Sequence, residues 1–152
     1  MNIGDKAPDF ELLNTNKELK SLAELTEKGN LLLLFFPFAF SSTCTTELCT
    51  TRDNMKFYNA VNTTVAGIST DSHHALREYK KSNNLNFHLL SDYNKEVSKA
   101  YGVLYDDYKG MRGVSKRASF VISPQKEVLF KEVLQNAGDL PDFRSINKVL
   151  SK

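Results

Sequence analysis

The segment Asn30-Leu-Leu-Leu-Leu-Phe-Phe36, closed by Pro37, limits the folds open to this chain more than any other feature. Every position after Asn30 is apolar, so it lacks the alternation of a strand with one wet face, and it is too short for a helix. It reads as a central strand buried on both faces. Such a strand needs an apolar layer above and another below, which helices on both faces of a sheet supply. The apolar stretch from Leu31 to Phe40 is interrupted by Pro37 and stops at Ser41, whereas a bilayer span needs about twenty residues, so no transmembrane helix is expected.

The rest of the chain fits an α/β reading. Thr64 to Ser69 forms a second buried strand, Phe87 to Leu90 a weaker third, and Ala118 to Ile122 pairs across a polar turn with Val128 to Val133 as a hairpin. One helix is expected from Cys44 onward, with Leu48, Met55, Tyr58 and Val61 on one side. Ser72 caps another that carries Leu76 and Tyr79 and ends near Asn83. Asp92 or Asn94 starts a short helix through Val97 and Ala100, stopped by Gly102. Asp139 to Leu150, with Pro141 in its first turn, closes the chain. Strands alternating with helices predict a central mixed sheet flanked by helices. No repeat or linker divides the chain, and residues 1–152 read as one domain. A chain of that length buries roughly 70% of its unfolded surface and needs no staple.

Charge excludes further classes. Twenty basic residues against eighteen acidic ones leave +2, too balanced for a nucleic-acid surface, and Lys80, Lys81, Lys109, Arg112 and Lys116 form no stripe. The opening MNIGDKAPDF lacks a basic start and apolar stretch, so the expected location is cytoplasmic. In a reducing cytosol a cysteine pair is more often catalytic or metal-binding than structural.

The chemistry gathers between Phe35 and Cys49. A buried strand runs out, Pro37 breaks it, and a polar loop delivers Cys44 to the start of a helix, where unpaired N–H groups and the positive end of the dipole favour an anion. A free thiol is only roughly 3% thiolate at neutral pH, and the thiolate is the nucleophile. A helix end supplies part of the stabilisation needed, so a cation is to be sought nearby.

Pro37-x-x-x-Ser41-x-x-Cys44 resembles the active-site motif of the peroxiredoxins, Pro-x-x-x-Thr/Ser-x-x-Cys, and Glu47 also fits that family. Lys116-Arg117-Ala-Ser-Phe-Val-Ile122 resembles the strand carrying the family's active-site arginine. The likeness runs from Gly4-Asp-Lys-Ala-Pro-Asp-Phe10 through Ser91-Asp92 and Ala100-Tyr-Gly-Val103 to the last helix. The wording around Cys44 is closest to the AhpE-like branch, and a second cysteine five residues on is similar to the PrxQ (bacterioferritin-comigratory) branch. Ser41 departs from the commoner threonine but keeps the hydroxyl.

The resemblance implies a thioredoxin-like fold and thiol-dependent reduction of hydrogen peroxide or organic hydroperoxides, serving redox homeostasis and antioxidant defence. Cys44 is then the peroxidatic thiolate, oxidised to a sulfenic acid. Arg117 supplies the cation, Ser41 exchanges hydrogen bonds with the peroxide, and Pro37 shapes and shields the loop. Glu47 holds the Arg117 guanidinium, for which planar bidentate pairing is suited. Taken singly, each has a plainer reading: a strand end, a cap, first-turn electrostatics, a surface charge. Their joint spacing carries the assignment. No cofactor or metal is implied; His73 and His74 are adjacent on a helix start, His88 stands alone, and Cys-x₄-Cys is not a zinc spacing.

Cys49 matches the resolving position of the PrxQ-like branch, which implies a Cys44–Cys49 disulfide recycled by thioredoxin or a similar dithiol. Residues five apart on a helix lie about 8–9 Å apart at Cα, beyond the limit near 7 Å for a disulfide, so resolution requires that turn to unwind. The alternative is a packed structural thiol. AhpE-like relatives imply a homodimer and PrxQ-like ones a monomer. Two other functions stay open on the same residues: a thiol–disulfide oxidoreductase, against which Cys-x-x-Cys is missing, and a redox-sensing protein.

Overall fold

The structure is a computed structural model describing residues 1–152. Its centre is a seven-stranded sheet, built from β1 (Glu11–Asn14), β2 (Leu19–Ser21), β3 (Asn30–Phe35), β4 (Thr63–Ser69), β5 (His88–Ser91), β6 (Ala118–Ile122) and β7 (Val128–Val133). The order across the sheet is β2-β1-β5-β4-β3-β6-β7. β3, β4 and β5 run parallel, and β1 and β6 flank them antiparallel. The sheet is therefore mixed, as the pattern of strands and helices predicts.

β3 separates two cores by its pleat. Leu31, Leu33 and Phe35 join one cluster with Ile68, Leu90, Tyr101 and Phe120; Leu32, Leu34 and Phe36 join the other with Cys44, Leu48, Tyr58 and Tyr79. Alternate side chains of a strand point to opposite faces, which is why this run is apolar at every position. Helices α1 (Leu22–Leu25) and α5 (Glu96–Ala100) supply apolar residues to the first cluster. The second is covered by α2 (Ser42–Asp53), α3 (Met55–Ala60), α4 (His73–Ser82) and α6 (Phe143–Leu150). This is the α/β thioredoxin-like arrangement of a mixed sheet between helical layers. No helix is long and apolar enough to cross a membrane.

Local chemistry corrects several expected boundaries. The single helix expected after Cys44 is two: Asn54 (φ −101°, ψ 5°) ends α2 and its carbonyl accepts from Phe57 and Tyr58 to begin α3. The buried stripe continues across the break through Met55 and Tyr58, so apolar spacing alone does not reveal it. The last helix starts at Phe143, not Asp139. Asp142 caps it, accepting from the Ser145 N–H, and leaves Pro141 outside. Ser72 caps α4 as expected. The hairpin of β1 and β2 has no counterpart in the sequence reading. Its strands are short, with β2 at the sheet edge, and its turn is held by Asn14 Oδ1, which accepts from the backbone N–H groups of Asn16 and Glu18.

Candidate active site

β3 ends in the sheet's centre, and Pro37, itself buried, turns the chain toward α2. The loop is tied down from the next strand: Asp71, just past β4, accepts at one carboxylate oxygen from the Ala39 N–H (2.8 Å) and from the Ser69 hydroxyl (2.7 Å). Ser41 is the N-cap of α2 by position, yet its hydroxyl donates to the Phe38 carbonyl (3.0 Å) instead of accepting from the helix. The first-turn N–H groups are thus left without a side-chain cap, where Cys44 sits.

Cys44 has no solvent exposure, and Arg117 has 1%. Arg117 directly precedes β6, whose pairing with β3 carries it to the end of the central strand. Its Nη1 and Nη2 both donate to Cys44 Sγ at 3.3 Å. Nη1 also donates to Glu47 Oε1 at 2.6 Å, while Nε and Nη2 donate to the Ala137 carbonyl at 3.3 and 2.8 Å. The planar fork therefore embraces the sulfur. The expected bidentate pairing with Glu47 is not what forms: one carboxylate oxygen is paired and Oε2 is buried without a partner. The guanidinium holds its shape against three acceptors at once, which only a fork of separate nitrogens allows.

Glu47 is fully buried. Burial pushes its carboxyl up to about 7, against the opposing pull of Arg117. For Arg117, burial acts to lower the value, but the facing Glu47 carboxylate and Cys44 sulfur outweigh it and leave the guanidinium above its ordinary range. One cation thus faces two acids. The guanidinium is thus shared between the Cys44 sulfur and a carboxyl whose proton is held up toward neutrality by burial.

A cleft of about 630 Å³ opens here, lined by Pro37, Ser41, Ser42, Thr43 and Arg117 on one side. Tyr105, Tyr108 and the backbone around Ala137 form the other side. Phe38 stacks on Tyr108 (5.8 Å) and Tyr108 on Tyr105 (5.0 Å), an aromatic wall beside the entrance. Phe38 lines the cleft, whereas Phe36 is in the core and Phe40 is exposed and packs against Tyr79. Cys49 lies five residues along the intact α2, partly buried, with its thiol facing Asn83 Oδ1 at 3.8 Å.

The fold thus brings Pro37, Ser41, Cys44, Glu47 and Arg117 together, and leaves Cys49 about one and a half turns further along α2. Sequence reasoning missed Ala137, which acts through its backbone carbonyl and leaves no side-chain signal. It also missed Asp71, whose partner Ala39 is contacted only at the main chain. Tyr105 and Tyr108 had a weak signal, as two tyrosines in a polar segment with Lys109.

The AhpC/TSA family model matches residues 3–131. Alkyl hydroperoxide reductase E of Mycobacterium tuberculosis is 32% identical over 146 residues, 95% of this chain and 92% of that one. A mitochondrial thioredoxin-dependent peroxide reductase of Drosophila melanogaster is 33% identical over 161 residues, 99% of this chain and 64% of its own length. The crystal structure of peroxidoxin BcpB from Mycobacterium tuberculosis aligns with a TM-score of 0.87 at 30% identity, covering 99% of this chain and 95% of that one. With a buried arginine fork closed on a helix-end cysteine and a family match across most of its length, the chain belongs to the AhpC/TSA family, the peroxiredoxins, and is a thiol-based peroxidase.

Proposed function

We propose that Cys44 is the peroxidatic residue, that Cys49 resolves its sulfenic acid, and that thioredoxin or a similar dithiol recycles the disulfide. The observation that carries the first assignment is the pair of Arg117 donors at 3.3 Å from Cys44 Sγ, in a helix turn with no side-chain cap. The thiolate attacks one peroxide oxygen, the O–O bond breaks, and the leaving oxygen departs as an alkoxide or hydroxide that takes up a proton. Charge moves from sulfur to the leaving oxygen during this step. Arg117 is placed to stabilise it at both ends without reorganising. Ser41, whose hydroxyl oxygen keeps lone pairs free, is placed to accept from the incoming peroxide.

Resolution by Cys49 is supported by its position on the same helix and by the need for only local movement. Attack of the Cys49 sulfur on the sulfenic acid forms the S–S bond and breaks the S–O bond, releasing water. Both sulfurs sit in an unbroken α2, so the turn between them opens in each cycle. Thioredoxin as donor is supported by the named dependence of the Drosophila relative.

Mass spectrometry after one equivalent of peroxide tests the scheme. The expected product is a Cys44–Cys49 disulfide, and Cys49→Ser is expected to keep the first peroxide reaction, accumulate sulfenic acid and lose thioredoxin-linked turnover. A stable sulfenic acid in the wild type, with full turnover in the serine variant, would assign resolution to an external thiol.

A further inference from the structure

α2 is a weak helix by composition. Thr43, Thr45, Thr46, Thr50 and Thr51 are five of its twelve residues, and β-branched side chains lose rotamer freedom in a helix. Tertiary contacts must hold it, and α4 provides them in register. Thr45 and Cys49, one turn apart on α2, face Tyr79 and Asn83, one turn apart at the end of α4. Thr45 Oγ1 and Tyr79 Oη are 3.0 Å apart, and Cys49 Sγ lies 3.8 Å from Asn83 Oδ1. The Thr45 hydroxyl already donates its one proton to the Ser41 carbonyl (2.8 Å), so Tyr79 is the donor in the first pair.

The latch is itself well anchored. Tyr79 has no solvent exposure and packs its ring on Phe36 and on Phe40, whose φ of 70° is costly for a non-glycine residue. Burial pushes the phenol up to about 12, so it remains a donor through the neutral range. Asn83 is fixed by donating from Nδ2 to the Tyr79 carbonyl (3.1 Å), and its own carbonyl accepts from Arg52 Nη1 (2.7 Å). These contacts bracket the turn that separates the two sulfurs.

We propose that Tyr79 and Asn83 are positioning residues that latch α2 closed and thereby set how the Cys44 sulfenic acid divides between disulfide formation and further oxidation. The proposal rests on the reading that Cys49 resolves. While the latch holds, Cys49 is out of reach and a second peroxide has time to convert the sulfenic acid to sulfinic acid, transferring one more oxygen and leaving an alcohol or water. When it opens, the Cys49 sulfur displaces hydroxide from Cys44, and water leaves with the Cys49 proton.

Tyr79→Phe keeps the ring and removes one donor. Disulfide formation from preformed sulfenic acid, followed in single turnover, is expected to accelerate about fivefold, as loss of one net hydrogen bond predicts. The peroxide concentration that gives half sulfinic acid should rise by a similar factor, with the first peroxide reaction unchanged. A purely structural role would lower the melting temperature without moving that ratio. Thr45→Val removes the same rung from the other side, and the double variant should be no faster than the faster single one. A wild-type disulfide that forms at the same rate in both single variants overturns the latch alone. Absence of a Cys44–Cys49 disulfide in the wild type overturns the reading of Cys49 and the latch with it.

Discussion

Replacing Arg117 by alanine removes the only cation that touches the sulfur. The two donors to Cys44 Sγ are charge-assisted, and such bonds contribute about 1.5–3 kcal/mol each. They draw on one charge and do not add fully, so the loss is about 3 kcal/mol, or roughly a hundredfold in rate at about 1.4 kcal/mol per decade. The substitution does not strand a buried anion. Glu47 already takes up its proton at about 7, and Arg117 is what draws that value down. Without the guanidinium it stays a neutral acid at neutral pH, and the fold survives. Lysine should restore only part of the rate. It has one nitrogen, whereas the wild type reaches Cys44, Glu47 and Ala137 from three. Stopped-flow peroxide kinetics and ultraviolet titration of the thiolate give the assay, with circular dichroism to check folding. A well-folded alanine variant with wild-type thiolate content and wild-type rate would refute the reasoning.

Three further expectations follow from the same geometry. Cys44→Ser should abolish turnover with every peroxide and reductant; consumption above the uncatalysed rate would move the nucleophile elsewhere. Because the folded state holds the Glu47 proton up to about 7 against an ordinary 4.5, the native state binds more protons than the unfolded one between those values. Stability conferred below the lower value is lost as pH rises through the upper one, by roughly 3 kcal/mol in all. Glu47→Gln should flatten that part of the curve in urea unfolding across the range, and an unchanged slope would show that another group titrates. Asp71→Ala should leave the Ala39 N–H and Ser69 hydroxyl without their shared acceptor, costing about 1–3 kcal/mol of stability. It should also slow peroxide reduction several-fold by loosening the Pro37 loop, which steady-state kcat/KM checks.

Much of the site was legible because its residues are consecutive or carry a recognisable spacing. The apolar run before Pro37 announces a two-faced central strand, since no other placement hides six residues of that kind. Ser41, Cys44 and Glu47 fall at the start of one helix, where local geometry alone brings them near each other. Arg117 was found only through resemblance, because nothing in a single sequence states that residue 117 meets residue 44. That meeting is made by the antiparallel pairing of β6 with β3, with Phe35 opposite Ala118. The break at Asn54 and the late start of α6 were missed because an apolar stripe reports burial, not backbone continuity.

Sequence by itself pointed to the layers, to Cys44 as the candidate nucleophile and to the kind of chemistry, since these depend on residue type and short spacing. Tertiary structure decided how the one cation is shared. It put both arms of Arg117 on the sulfur, left one oxygen of Glu47 unpaired, and drew the backbone of Ala137 in as the third acceptor. It also set Tyr79 and Asn83 against the face of α2 that carries Thr45 and Cys49. Hydrogen bonds depend on direction and on distances of a few tenths of an ångström, and contacts between residues 34 or 73 positions apart acquire these only when the sheet and its helices are packed.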